Sequence, residues 1–424
     1  MQRLVILLLL VVMALTACNP AGAPATQAPQ AETLVPVPSV AASEPAASDT
    51  PVAAATSTLS ASPSATAQAA VPTSTGQAAE RQGWIAHIGT DGNLWLVDTA
   101  GEERLQITED AVSFQGGQPS PERLISYCCA QWSSDGSLLA YSREVGTAVS
   151  SGYQYVSELW VYAPASGEAR MLLQVDESIA GFAWQPDSHL IAYGRGIPTE
   201  YFLDQESQLA PGIWALEADT GETYELVAPQ RGLALVSPQW SPDGRFLSFD
   251  EIFAMEGRGY FAYYVFESQA YISWEELIGQ YDWSPDGTSI AYDTLTYVAT
   301  GDERIWLRER EGGEARPLSP NYEPGYAYRP RFSPQGDRLA YLANLDGPET
   351  NRVSVYVVDL PDGEPRELGV FTQVEQFSWS PDGAHLVFSS GPFEAPQVVV
   401  VSASDGATDV LAAGRYLTWQ PGAP

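Results

Sequence analysis

The stretch that decides the fold is YDWSPDGTSIAY, residues 281–292. Its Ser-Pro-Asp-Gly segment is typical of a tight β-turn, because Pro285 presets φ near −65° and Gly287 adopts left-handed backbone at no steric cost. The residues that follow are short, apolar and aromatic, as in a buried strand. The stretch therefore predicts a strand, a tight turn and a second strand, with Asp286 interpreted as a turn residue rather than a catalytic one.

Similar text recurs along the chain, and each copy opens with an aromatic residue. Successive copies lie between 40 and 56 residues apart. This spacing is typical of a four-stranded propeller blade. We expect the opening aromatic residues to pack between neighbouring blades as structural repeat positions. They are Trp132, Trp184, Trp240, Trp283, Phe332, Trp379 and Trp419.

The two ends of the repeat region complement each other. Residues 84–108 have the pattern of second, third and fourth strands without a first, and residues 415–419 (RYLTW) have the pattern of a first strand alone. Their pairing would complete one blade and close the ring, which removes exposed sheet edges. The sequence thus predicts an all-β propeller of seven four-stranded blades. Six blades is the alternative, because residues 240–283 lack the glycine turn found in the other units.

The repeated W-S-P-D-G-x-x-[LI]-A-[YF] text resembles the TolB-like, or PD40, propeller repeat, a relative of WD40, over about residues 82–420. That family includes the TolB component of the Tol–Pal envelope system and the propeller domains of prolyl oligopeptidase-like enzymes. The resemblance implies the fold. The sequence lacks the α/β domain that precedes the TolB propeller and the hydrolase domain of the peptidases, so neither activity is transferred.

The amino-terminal residues predict export. Residues 1–17 combine Arg3 with a short apolar run, as in a signal peptide. LTAC (15–18) resembles the lipobox of bacterial lipoproteins, which implies cleavage before Cys18 and a lipid on that residue; an ordinary secretory signal is the alternative. Residues 18–81, rich in Ala, Pro, Ser and Thr, predict a disordered tether, and residues 82–424 the propeller. We expect an extracytoplasmic protein, lipid-anchored to the bacterial cell membrane or outer membrane.

The chain is strongly acidic, with a formal net charge of −33, and this limits its partners. An acidic surface repels phosphate backbones, so we expect no nucleic-acid partner. We predict a monomer that binds an envelope protein or peptide. We expect no cofactor and no zinc site, since no histidine has ligand spacing; Ca²⁺ is the alternative.

Cys128 and Cys129 are adjacent, and their Cα atoms must lie about 3.8 Å apart. An oxidising compartment would allow a vicinal disulfide between them. We state that bond as a hypothesis, with two free thiols as the alternative.

No nucleophile elbow, phosphate loop or dinucleotide fingerprint is present, so the sequence favours a non-catalytic protein. The segments between predicted strands are long and rich in Tyr, among them residues 143–158, 194–212, 250–262, 293–303 and 319–330. Rigid scaffolds place function on such loops, and Tyr and Arg are frequent interface anchors. The predicted binding residues are Tyr153, Tyr155, Tyr201, Asp250, Glu251, Tyr260, Tyr297, Asp302, Tyr326, Tyr328 and Arg329.

The leading prediction is a cell-envelope scaffold or sensor that binds a protein or peptide on this loop-rich face. A glycan- or small-ligand-binding propeller is the alternative, with a carboxylate pair that could hydrolyse a glycoside. Fifty-three Asp and Glu residues are too many for sequence alone to select such a pair.

Overall fold

The computed structural model describes residues 83–114, 120–196, 211–230, 232–252, 259–274, 276, 278–294, 303–347 and 350–422. All regular elements in these ranges are β-strands, and neighbouring strands pair antiparallel in chain order. Cys18, Tyr201, Tyr297 and Asp302 lie outside the described residues, as do the predicted leader and tether.

Five sheets contain four strands each, and the first strand of each ends on a motif aromatic residue. These sheets are the first to fifth sets below. The first set is β4 (Arg123–Trp132), β5 (Leu139–Val149), β6 (Gly152–Ala163) and β7 (Glu168–Val175), and the second is β8 (Ile179–Trp184), β9 (Leu190–Arg195), β10 (Ile213–Glu217) and β11 (Thr223–Val227). The third set is β12 (Ala234–Trp240), β13 (Phe246–Ile252), β14 (Gly259–Val265) and β15 (Ala270–Ser273), and the fourth is β16 (Ile278–Trp283), β17 (Ser289–Thr294), β18 (Ile305–Glu309) and β19 (Arg316–Pro317). The fifth set is β20 (Tyr326–Phe332), β21 (Arg338–Asn344), β22 (Arg352–Asp359) and β23 (Arg366–Thr372).

The remaining sheet has seven strands and joins the two ends of the described chain. Its members are β24 (Phe377–Trp379), β25 (His385–Ser390), β26 (Gln397–Ser402), β27 (Thr408–Trp419), β1 (Trp84–Gly89), β2 (Leu94–Asp98) and β3 (Arg104–Gln106). The first half of β27 pairs with β26 as far as Ala413, and its second half pairs with β1 from Gly414 to Trp419. This sheet therefore holds a sixth and a seventh set that share β27.

The motif turn is held by the serine and the aspartate that recur in it. In the third set the Ser241 hydroxyl donates to Asp243 (2.6 Å) and accepts from the Phe246 N–H (3.0 Å). In the fourth set Ser284 donates to Asp286 over the same distance. The recurring aspartate is thus engaged in closing the turn.

The motif aromatic residues are buried and attach each set to the preceding one. The Trp184 indole N–H donates to the Gln131 carbonyl (3.0 Å), and that of Trp379 donates to the Arg331 carbonyl (3.1 Å). All seven motif aromatic residues are no more than 7% exposed. First strands of neighbouring sets also contact one another, among them β4 with β8 and β16 with β20. These first strands therefore occupy the position of the inner strands of propeller blades.

The third set has four strands although it lacks the glycine turn on which the six-blade alternative rested. Its last turn connects β14 to β15, with Gln269 at φ 52°. A left-handed residue other than glycine thus performs the glycine's role, at a modest conformational cost.

The prediction of a loop over residues 143–158 is wrong. These residues form a long hairpin in which β5 and β6 pair as far as Val149 and Gly152. β-Branched and aromatic residues favour pairing on both sides of the short Ser-Ser turn. Parts of the four other predicted loops are also strands: residues 194–195, 250–252 and 259–262, 293–294, and 326–330.

Candidate functional site

The first strands carry an irregularity just before the motif aromatic residue. Pairing slips between Val236 and Gln239 in the third set, and between Tyr328 and Arg331 in the fifth. The residue three positions before the aromatic is left-handed in several sets, with φ of 53° at Ser237 and 55° at Arg329. Such β-bulges interrupt the ladder and redirect nearby side chains, and they are frequent beside functional sites.

Asp293 holds the bulge of the fifth set against the fourth. Its Oδ2 accepts from the Arg329 backbone N–H (2.8 Å), and its Oδ1 accepts from the Gln280 N–H (3.1 Å). Burial raises the pKa of Asp293 to about 7, against the opposing effect of these two donors. A Cβ at position 279 would lie 1.7 Å from Oδ1, so Gly279 is needed to make room for the carboxylate.

Asp282 connects three sets. Its Oδ1 accepts from the Gln239 side-chain amide (3.1 Å), and its Oδ2 accepts from the Phe332 N–H (2.8 Å). Burial raises the pKa of Asp282, and the charge of Arg331 opposes that shift. Asp282 and Asp293 therefore replace ladder hydrogen bonds where bulges interrupt the first strands.

Two arginines flank Pro330 beside these carboxylates. Arg331 Nη1 donates to the carbonyl oxygens of Tyr281 and Pro330, each at 3.0 Å. Among the described residues, no carboxylate forms an ion pair with the Arg329 guanidinium. Burial lowers the pKa of Arg329, and the charge of Arg331 lowers it further. We call Asp282, Asp293, Arg329 and Arg331 the inner cluster.

Asp250 lies in the third set, beside this cluster. Burial raises its pKa to about 7, and its electrostatic field reaches the buried Tyr281 hydroxyl. Asp250 and Asp293 both stand ten residues after a motif aromatic, at equivalent positions of neighbouring second strands. Of the corresponding residues in the other sets, none is acidic: they are Ile88, Ser142, Gly194, Leu342 and Ser389. This repeat-position signal was available in the sequence and would have singled out Asp293.

The predicted binding residues of the fifth set lie together on β20. The rings of Tyr326 and Tyr328 are 5.3 Å apart, and Tyr328 packs against the core shared by the fifth and sixth sets. Burial raises the pKa of Tyr328. Tyr328 is thus mainly a packing residue, whereas Arg329 belongs to the inner cluster.

The remaining described residues of that prediction are dispersed. Glu251 is fully buried and accepts from the hydroxyls of Tyr271 (2.8 Å) and Ser273 (2.6 Å), which is a structural role. Tyr260 pairs with Glu251 across β14 and β13 and is half-buried. The structure therefore assigns Glu251 to the third set's packing rather than to an exposed rim.

Tyr153 and Tyr155 lie on the β5–β6 hairpin of the first set. The Tyr153 hydroxyl donates to the Pro121 carbonyl, and its ring meets Phe114 edge-on at 5.6 Å. Tyr155 is 43% exposed. These rings form a surface patch of their own, on a different set from the inner cluster.

Cys128 and Cys129 form a vicinal disulfide in the structure. Cys129 is left-handed, with φ 60°, at the bulge position of β4 that corresponds to Arg329 in β20. The disulfide thus occupies one of the first-strand bulges.

The propeller sequence profile named TolB beta propeller domain, or PD40, matches residues 263–421. Those residues are therefore similar to the TolB beta propeller family. The match covers less than half of the chain, from the third set to the shared β27, and includes the whole inner cluster.

Solved structures of known proteins resemble this chain at low sequence identity. An oligogalacturonate lyase structure from Vibrio parahaemolyticus is 12% identical, with a TM-score of 0.52, and the alignment covers 78% of this chain and 86% of the lyase. The TolB structure from Acinetobacter baumannii is 16% identical with a TM-score of 0.46, over 71% of this chain and 83% of that one. At 12% identity the likeness to the lyase shows the fold alone.

Dipeptidyl-peptidase 5 from Porphyromonas gingivalis is 28% identical over 119 residues, or 26% of this chain. The chain spans only 17% of the length of that peptidase. The similarity therefore covers a small part of the peptidase and does not transfer its activity.

The described residues lack two further features. No group of three His, Cys, Asp or Glu side chains there is arranged to hold a metal ion. Within the same ranges, no helix has the length and apolarity to cross a membrane.

Proposed function

We propose that the protein is a non-catalytic envelope lipoprotein whose propeller binds a protein or peptide at the inner cluster. The observation that carries the proposal is Arg329, a partly buried residue beside Arg331 whose guanidinium has no carboxylate ion pair among the described residues. Burial disfavours the charged guanidinium, and Asp293 and Glu375 favour it only through their electrostatic field, without a direct ion pair. A carboxylate supplied by a ligand would offset the cost of that burial.

The ligand's carboxylate would come from an acidic side chain or a free carboxyl terminus. An arginine fork binds such a group with two parallel hydrogen bonds, and bulged first strands hold the arginine in place. Tyr326 lies near by on the same strand, half-buried, and can contribute ring contact.

The test is selection of displayed peptides on the immobilised full-length chain. We expect the selected peptides to carry an acidic residue or a free carboxyl terminus at one fixed position, and to lose binding at least tenfold with Arg329→Gln. Arg352→Gln is the matched control, because Arg352 is an exposed strand arginine beside Asp346 (3.5 Å). Peptides that bind Arg329→Gln as well as the parent, with both proteins folded by melting temperature, would contradict the proposal.

The lipid anchor is tested separately. We propose that Cys18 carries lipid and that residues 19–81 tether the propeller to the envelope. Cys18→Ser should then move the protein from the membrane fraction to the soluble extracytoplasmic fraction, and incorporation of labelled palmitate should disappear. A membrane-bound Cys18→Ser protein would contradict the anchor without affecting the peptide-binding proposal.

The second candidate is a glycan-binding propeller with hydrolytic carboxylates. It is favoured by Asp250 and Asp293, whose pKa values are both raised to about 7, in the range of a general acid. It is disfavoured because two backbone donors already engage Asp293. If the protein releases reducing ends from a panel of glycans, and Asp250→Asn abolishes that release, the result would favour this candidate over the first.

A further inference from the structure

The contact between the fourth and fifth sets departs from the pattern of the other contacts. The motif aromatic residue of one set generally packs on the preceding set. There it lies near the residue that follows the preceding set's own motif aromatic residue by six positions. Trp283 stacks on Phe246, with ring centroids 5.8 Å apart, and the Arg338 guanidinium lies 5.4 Å from the Trp379 ring. Both receiving residues are large.

At the contact between the fourth and fifth sets, both packing residues are smaller than their equivalents at the other contacts. Phe332 is the motif aromatic that is not tryptophan, and the receiving residue is Ser289. The equivalent residues of the other sets are Trp84, Leu138, Leu190, Phe246, Arg338 and His385. Phe332 lacks the indole ring and N–H of the other motif residues, and Ser289 lacks the side chain to fill the space.

A cleft of about 490 Å³ lies at this position and is lined by both Ser289 and Phe332. Its volume is in the range of small-molecule sites. The outer strand of the fourth set, β19, is only two residues long and follows Gly312 and Gly313, both at positive φ; of its residues Arg316 lines the cleft. Three departures from the repeat therefore coincide at one contact.

The cleft has an apolar floor and an acidic rim. Leu307, Phe332 and Leu360 supply the apolar contacts. Asp286, Glu309 and Glu314 line it with only Arg316 of opposite charge. Hydrogen bonds from Ser284 (2.6 Å) and Thr288 (2.9 Å) lower the pKa of Asp286, so that carboxylate is ionised at neutral pH. Among the described residues, Glu309 and Glu314 have no ion-pair partner.

We propose that this cleft binds an organic cation with a flat aromatic body, of the arylalkylamine class. The ring occupies the space that an indole at position 332 would fill, against Leu307 and Phe332. The ammonium group meets Glu309 and Glu314 at the rim. This site is distinct from the inner cluster and does not depend on the peptide-binding proposal.

The test is fluorine NMR of 5-fluorotryptamine with the full-length chain. We expect line broadening and saturable binding by the parent. The matched probe is 5-fluoroindole-3-acetate, which has the same ring and the opposite charge, and we expect it to bind at least tenfold more weakly. If both probes bind equally, or if the amine does not bind at millimolar concentration, the proposal is wrong.

Two variants separate ring from charge. Phe332→Trp should fill the cleft and weaken amine binding at least tenfold, while its melting temperature is no lower than the parent's. Glu309→Gln combined with Glu314→Gln should weaken the amine severalfold and abolish the preference for amine over acid. Unchanged binding by a folded Phe332→Trp protein would place the amine elsewhere and overturn the assignment.

Discussion

The indole of Trp283 connects the third and fourth sets through both its ring and its N–H. The ring stacks on Phe246, and Nε1 donates to the Ser248 hydroxyl (2.9 Å). With 2% exposure, the side chain has almost no access to water. Its loss would leave both a cavity and an unpaired hydroxyl acceptor.

We predict that Trp283→Ala lowers the free energy of unfolding by about 3–5 kcal/mol. Chemical denaturation of the full-length protein measures the effect. Trp95→Ala is the matched control, because Trp95 is half-buried and its indole donates to the exposed Asp91 (3.1 Å). Equal losses of unfolding free energy in the two variants would show that Trp283 contributes no more to stability than Trp95.

Asp250 makes stability depend on pH. Its folded-state pKa is about 7, whereas the unfolded group titrates near 3.8. Between these values the folded state holds a proton that the unfolded state has released, so stability falls as pH rises, by about 1.4 kcal/mol per pH unit for one proton. Above the folded-state pKa, Asp250 is ionised in both states, and its contribution to stability no longer changes with pH.

We therefore expect Asp250→Asn to reduce the loss of stability between pH 4.5 and pH 7, as measured by urea denaturation across that range. Asp243→Asn, at an exposed motif turn, is the control and should leave the slope unchanged. Parallel curves for the parent and Asp250→Asn would mean that Asp250 ionises normally in the folded protein.

Sequence reasoning succeeded for residues whose role is local and failed for residues whose role depends on a bulge. Asp286 was recognisable as a turn residue because its partners, Ser284 and Thr288, are two positions away. Asp293 accepts from Arg329, 36 residues later in the chain. The bulge itself was hidden, since Ser237 and Arg329 adopt left-handed backbone without being glycine.

Strand β27 is the element on which pairing of the chain ends depends. Gln420, immediately after it, reinforces that pairing: its backbone N–H donates to the Trp84 carbonyl (2.8 Å), its Oε1 accepts from the Trp84 N–H (3.1 Å), and its Nε2 donates to the Gly136 carbonyl (2.8 Å). One side chain thus connects β27, β1 and the motif turn of the first set.

We predict that Gln420→Ala lowers the free energy of unfolding by about 1–2 kcal/mol, because it removes two hydrogen bonds. Hydrogen exchange should accelerate most in peptides that cover β1. Gln335→Ala removes a similar bond between sets, from the Gln335 amide to the Pro381 carbonyl (3.2 Å), and should leave β1 exchange unchanged. Equal protection of β1 in both variants would contradict the role assigned to Gln420.

The pairing of β1 with β27 could be inferred from sequence because each end of the repeat region lacked what the other supplied. The β5–β6 hairpin could not, because its strands extend beyond the usual repeat length. Residues 143–158 looked like a loop by position in the repeat, although their Val, Tyr and Thr content favours strands. The loop prediction gave more weight to position in the repeat than to local strand propensity, and it was wrong.

The molecule as a whole carries a large negative charge, and its few cations are arginines. Such a charge opposes the compact state through self-repulsion, and salt screens that repulsion over about 10 Å at 0.1 M and about 3 Å at 1 M. The carboxylates outnumber the basic residues 53 to 20. Screening should therefore favour the folded state.

We expect the melting temperature to rise by a few degrees between 20 mM and 500 mM NaCl, measured by calorimetry at pH 8. Sucrose at matched osmolality controls for solvent effects other than screening. A melting temperature that is constant or falls with salt would indicate that local ion pairs, such as Arg143 with Asp110 and Glu158, outweigh the net repulsion.

The sharing of β27 has a consequence for biosynthesis. Strands β1 to β3 are made first, yet the edge of β1 stays open until residues 414–419 leave the ribosome. Throughout translation that edge is available to pair with foreign strands, so a chaperone that shields it would have most effect early. A circular permutant that starts near residue 120, between β3 and β4, would make every set from consecutive strands. Such a permutant should therefore fold during synthesis without this delay.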